Sequence, residues 1–177
     1  MFSIRATRYW WIKDDGRDDP DDRCLHGHVV VQIGKTVLED DCTVSSTGLF
    51  LLRTLTEDHV PLDGYCEYGN QMLPCCGFFM VADDDLQSVT LDGCPNGTDW
   101  NVRHAGDGVL LETDGEEAEQ VSLADYRREV YRFCDGVEAY YRACQPKRFQ
   151  DGDGMDDFNR RGYTAYWNEW RRRRYAE

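Results

Sequence analysis

Cys24, His26 and His28 are the residues whose types and spacing point most directly to chemistry. They sit at alternate positions of "CLHGHVVVQIGKTV", residues 24–37. On a β-strand such positions share one face, roughly 6.5–7 Å apart at the backbone. Two imidazoles and a thiolate at that spacing can hold a zinc ion, with His59, His104 or Asp99 as a further ligand. That reading makes the chain a metal-dependent hydrolase built on Cys24, His26 and His28. The competing reading is a half-solvated strand: Val29, Val31 and Ile33 face the core, and the two imidazoles face outward or line a groove. Structural zinc sites usually join spaced pairs from two elements, and no C-x-x-C occurs among the cysteines at 24, 42, 66, 75, 76, 94, 134 and 144. The half-solvated strand is therefore preferred. The cysteines read as small buried hydrophobes, and no cofactor is expected unless zinc binds.

Other reaction chemistries leave no local signature. There is no G-x-S-x-G, no H-E-x-x-H and no phosphate-binding glycine loop opening a helix, so no catalytic residue is named. "DDGRDDPDDR" and "DGDGMDDF" alternate carboxylates as calcium loops do, but neither has the required glycine and terminal glutamate spacing. Both read as solvated loops.

Charge says more. The 177 residues carry a net −14, unevenly distributed. Residues 1–121 hold 8 Lys and Arg against 24 Asp and Glu, a net −16, whereas residues 122–177 hold 12 against 10, a net +2. The acidic part should repel nucleic acid and anionic membranes, which bind through Lys and Arg, and should attract a basic protein. The residues expected to make that contact are Asp14, Asp15, Asp18, Asp19, Asp21 and Asp22, then Asp83, Asp84 and Asp85, with Glu116 to Glu119 beyond them. No cationic segment with an apolar run and cleavage site opens the sequence, and no apolar run approaches the ~20 residues of a membrane span. A cytoplasmic location is the resulting expectation.

These residues need elements to position them. Residues 2–12 alternate, which places Phe2, Ile4, Ala6, Trp10 and Ile12 on one strand face and Tyr9 and Trp11 on the other. Gly34-Lys35 offers a two-residue turn into a second strand. A helix is expected near 46–58, capped by Ser45 or Ser46 and stopped before Pro61, with Gly48 awkward in its first turn. Between 71 and 121 the β pattern returns, with "GFFMV" as a buried strand, "QSVTL" as another, a hairpin around Gly106-Asp107-Gly108 and "EQVSL" as a last short strand. Leu123, Tyr126, Val130, Phe133, Val137, Tyr140 and Cys144 then recur at helical steps, with Ser122 and Asp125 resembling a capping box. A last amphipathic helix, started by Asp156 or Asp157, carries Tyr163, Tyr166, Trp167 and Trp170 on one stripe and ends in four Arg. The expected fold is a single α+β domain over 1–177: one antiparallel sheet of about six strands, backed by a long helix (122–145) and a C-terminal helix.

The C-terminal third, "YRREVYRFCDGVEAYYRACQPKRF" followed by "RGYTAYWNEWRRRR", resembles the tails of small uncharacterised bacterial proteins, some of which are similar to immunity proteins of contact-dependent toxin systems. The likeness rests on aromatic placement and implies no catalytic site. It implies a non-enzymatic protein that neutralises a basic partner protein. A third expectation is a structural domain, monomeric or a homodimer, whose contact is made by Tyr163, Trp167 and Trp170.

Overall fold

The computed structural model describes residues 1–175 apart from 14, 62–69, 76–78, 115–117, 151 and 153. Asp14, Glu116, Glu117, Cys66, Cys76 and the Gly77-Phe78 part of "GFFMV" lie outside the described residues. The first sheet has the order β1-β2-β3: β1 (Phe2–Trp10), β2 (His26–Ile33) and β3 (Thr36–Cys42), all antiparallel. Ile33 pairs with Thr36, so Gly34-Lys35 is the two-residue turn that the sequence predicts. Gly34 has φ +58°, the left-handed backbone that a twisted hairpin requires at that place.

β1 departs from strict alternation. Ala6 pairs with Val29 and Arg8 with His28, so Thr7 is an extra residue, a β-bulge. One inserted residue swaps the faces of everything after it. Trp11 is consequently 2% exposed and Ile12 70% exposed, the reverse of the sequence-based face assignment. Tyr9 and Trp11 turn inward and pack on Tyr140, 5.1 and 5.8 Å between ring centroids.

α1 (Val44–Arg53) follows β3 directly. It starts two residues before its expected position, with Thr43 as N-cap but without a side-chain cap bond, and it ends before the turns at 54–57. Residues Val44 to Leu52 are all buried, so this is a central helix and not a surface one. Gly48 is explained by packing: a Cβ there would collide with the Trp170 ring.

The strands β4 (Leu73–Pro74), β5 (Phe79–Ala82), β6 (Val89–Asp92), β7 (Gly97–Thr98), β8 (Asn101–Ala105), β9 (Gly108–Glu112) and β10 (Glu119–Ser122) form three further antiparallel sheets, paired β4-β7, β5-β6 and β10-β9-β8. The α+β class holds, but the single sheet of about six strands does not. The reason is that residue alternation fixes which side chains share a face and says nothing of which strand edges meet. The small sheets are built from strands of two to five residues, and β4 lies against α1. β5 is also not fully buried: Met80 is 5% exposed but Phe79 57% and Val81 40%. The hairpin at Gly106-Asp107 stands as predicted, with Ala105 paired to Gly108.

α2 (Leu123–Ala143) and α3 (Gly154–Arg174) close the fold. Ser122 caps α2 by accepting the Asp125 N–H at 3.1 Å and donating its hydroxyl to the Asp125 carboxylate at 2.7 Å. Tyr126, Val130, Phe133 and Val137 of the predicted seam are buried. α2 lies against β1, β9, β10 and α1, while α3 lies against α1, β5 and β6. At Gly162 a Cβ would collide with the Met80 carbonyl, so this glycine sets how closely α3 approaches β5. Glu169 of α3, 1% exposed, accepts two bonds from the Arg53 guanidinium at 2.8 and 2.9 Å and one from the Val89 N–H at 3.0 Å. That carboxylate ties α3 to both α1 and β6.

Candidate functional site

Cys24 and His26 line one small cavity of about 210 Å³ with Asp22, Arg23, Met80 and Asn159. Cys24 precedes β2 and is 8% exposed, so it is not part of the strand whose alternation groups it with His26 and His28. His26 stacks on Trp10 at 6.4 Å, and its burial lowers the imidazole pKa below the ordinary 6.5. His28 is held instead by its neighbour on β3: its Nδ1 lies 2.8 Å from Asp41 Oδ1. His59 is 2.7 Å from Asp99, and His104 is 2.8 Å from Asp58. Among the described residues no three His, Cys, Asp or Glu side chains converge as a metal site would need.

The acidic loop between β1 and β2 is not a free charged surface. Asp22 accepts the Ile12 N–H at 2.7 Å and the Cys24 N–H at 3.0 Å, joining the two ends of the loop. Asp19 is buried and pairs with Lys13 at 2.9 Å, a contact that holds its carboxyl below the usual range. Asp18 accepts the Gln145 N–H, Asp21 pairs with Arg148 at 2.8 Å, and Arg148 N–H donates to the Pro20 carbonyl at 2.9 Å. Four carboxylates expected to meet a partner thus fasten the loop, internally and to the linker between α2 and α3. Asp15 remains exposed, as do Asp84 and Asp85. Asp83 accepts bonds from Ser88 and Gln87 within its own turn.

The fastened linker forms one wall of a cavity of about 560 Å³ between α2 and α3. Its aromatic lining comes from Tyr141, Tyr163, Trp167, Trp170 and Tyr175. Trp170 is fully buried: its indole N–H donates to Glu138 at 2.7 Å, and it packs on Tyr166 and Trp167. It belongs to the core, whereas Tyr163 and Trp167 are only partly buried. Trp167 meets Tyr141 at 5.1 Å and 87°, and Tyr163 at 6.2 Å and 82°. Flat surfaces thus meet nearly at right angles. The Tyr141 hydroxyl donates to the Arg23 carbonyl at 2.7 Å and accepts the Leu25 N–H at 3.1 Å, which fixes its ring. Burial raises the Tyr163 phenol above its ordinary pKa.

Three cations rim the cavity: Arg142, Lys147 and Arg171. Arg142 pairs with Glu138. Lys147 Nζ sits 3.2 Å from the centre of the Trp11 ring and donates to the Asp19 carbonyl at 2.8 Å; burial lowers its pKa. Arg171 is exposed, 6.0 Å from the Trp167 ring. The other terminal arginines turn elsewhere: Arg172 to the Gln87 carbonyl, Arg173 to Glu57 and Glu169, Arg174 to Asp135. An arrangement of aromatic walls with a cationic rim can stack a planar group and attract an anion.

Of the aromatic residues singled out from sequence, Tyr163 and Trp167 form the wall, and Trp170 its buried base. Sequence reasoning missed Tyr141, Arg142, Lys147 and Arg171. A signal existed for Arg171: Tyr163, Trp167 and Arg171 recur every four residues, one stripe of α3. Glu138, Tyr141 and Arg142 likewise share one stripe of α2, apart from its apolar seam. No protein-family model, no curated protein and no solved structure matches this chain.

Proposed function

We propose that the protein works by binding, and that its contact site is the pocket between α2 and α3. The observation that carries this reading is the pocket's make-up: Trp167, Tyr163 and Tyr141 on the walls, Arg142 and Arg171 at the rim. Trp, Tyr and Arg are the residues that dominate binding energy at contact sites. A volume of about 560 Å³ also falls within the range of ligand pockets.

The test is a thermal-shift screen of charged and neutral ring compounds, run in parallel on the native chain and on Trp167→Leu. A ligand at 100 times its Kd stabilises by about 2.7 kcal/mol, a readily measured shift. Stabilisation in the native chain that vanishes in the variant supports the reading. Equal responses from both proteins remove the pocket from the function.

A second reading keeps the immunity-type role, in which the chain neutralises a basic partner protein. It is favoured by the carboxylates that stay exposed: Asp15, Asp84, Asp85, and Glu39 and Asp41 on β3. Such a surface accelerates capture of a basic partner, and the gain falls with salt. Low-salt affinity capture with the native chain and an Asp84→Lys, Asp85→Lys variant tests it. A basic protein retained only by the native chain supports this role, and identical retention by both counts against it.

A further inference from the structure

We infer that the ligand of the α2–α3 pocket is a small molecule joining a flat aromatic ring to an anionic group, either a carboxylate or a phosphate. This rests on the pocket being the contact site, and adds the chemistry of what enters. The Trp167 ring stands nearly at right angles to both Tyr141 and Tyr163, so a ring that stacks on Trp167 lies nearly perpendicular to the two tyrosines. Both contacts are favourable arrangements for aromatic pairs.

The rim decides the charge. Among the described lining residues, three are cations and only Glu138 is a carboxylate. Both Glu138 oxygens are already engaged, by Trp170 N–H, the Tyr175 hydroxyl and Arg142. It is therefore not open to a cationic ligand, and the rim repels one. The three rim cations are unequal. Lys147 is answered from the loop side by Asp18, Asp19 and Asp22, and Arg142 by Glu138. No described carboxylate lies within ion-pair distance of Arg171, which stands beside Trp167. The anionic group thus belongs at the Arg171 end, with the ring against Trp167. An Arg fork there can hold a carboxylate or a phosphate through two parallel hydrogen bonds.

Calorimetric titration of the full chain tests this with five probes: indole-3-acetate, indole-3-ethanol, tryptamine, adenosine monophosphate and adenosine. The expected result is that at least one anion binds roughly tenfold or more tightly than its neutral counterpart, with tryptamine the weakest indole. Which anion wins distinguishes a carboxylate ligand from a phosphate ligand. Arg171→Glu should lower the affinity of that anion by roughly tenfold or more while leaving the neutral ring little changed. The Arg171 side chain is exposed, so this variant keeps the fold, and circular dichroism verifies it. Neutral or cationic rings binding as tightly as the anions would overturn the inference. So would an unchanged affinity in Arg171→Glu, or no binding of any probe up to about 5 mM. Self-association that Trp167→Leu abolishes would assign the pocket to a second copy and equally overturn it. If other ligands still stabilise the chain in a Trp167-dependent way, the pocket remains the contact site and only the ligand class falls.

Discussion

Asp84 and Asp85 stand exposed on the turn between β5 and β6, whereas Glu129, Glu138 and Glu169 are at most 8% exposed in the helical part. Among the described residues, the strongly acidic half of the chain keeps most of its carboxylates at the surface or in local turns. The half with nearly balanced charge buries three of its carboxylates, Glu129, Glu138 and Glu169, and gives each of these an arginine: Arg132 to Glu129, Arg142 to Glu138, Arg53 and Arg173 to Glu169. The loop between β1 and β2 is intermediate: Asp19 is buried against Lys13, Asp22 joins the loop's own ends, and Asp18 and Asp21 reach across to the helical linker. Net charge of a segment therefore predicts poorly where electrostatics holds the fold. A carboxylate matters in proportion to its burial and to the hydrogen bonds it completes.

The largest effect is expected at Glu169. Glu169→Ala leaves the Arg53 guanidinium without its carboxylate and the Val89 N–H unpaired, and should cost about 3–5 kcal/mol by urea denaturation. A loss below about 1 kcal/mol would erase the contrast between the two halves. Next comes Asp22→Ala, which frees two main-chain N–H groups at the ends of the acidic loop and should cost about 1–3 kcal/mol. A neutral outcome there would return this loop to the class of solvated surface.

Acid sharpens the comparison further. Burial alone would raise the Glu169 carboxyl, but the Arg53 guanidinium, the Val89 N–H and Arg173 outweigh it and hold the pKa below the ordinary 4.5. A carboxyl with a folded pKa below its unfolded one stabilises fully above the unfolded value and loses that contribution as pH falls through the folded one. The stability gap between the native chain and Glu169→Ala should therefore be constant near neutrality and narrow below pH 4.5. A gap that stays constant to about pH 2 would show that the ion pair is not its source. The smallest effect belongs to Asp84→Ala, which should move Tm by less than about 2 °C. A larger shift would mean that the exposed turn carries tertiary contacts after all.

Several parts of this fold are legible without coordinates because they obey local rules. Gly34-Lys35 and Gly106-Asp107 announce two-residue turns, Ser122 and Asp125 cap a helix, and the seam from Tyr126 to Val137 has a helical period. The bulge at Thr7 has no such local mark, and beyond it Trp11 and Ile12 exchange the places that strict alternation gives them. The pocket was half visible. Tyr163 and Trp167 stand out as aromatic residues, but nothing near them in sequence indicates that Lys147, Tyr141 and Arg142 complete the wall.

The sequence by itself determined the α+β class, the positions of the two long helices and the turns that join neighbouring strands. Each of these follows from contacts within a few residues, where side-chain period and backbone preference suffice. Tertiary structure alone decided that the described strands divide among four sheets, that Asp18 to Asp22 fasten a loop, and that α2 and α3 part enough to leave an aromatic pocket. Those outcomes depend on which distant edges, carboxylates and rings meet, and the free energy of such meetings is set by burial in the folded chain.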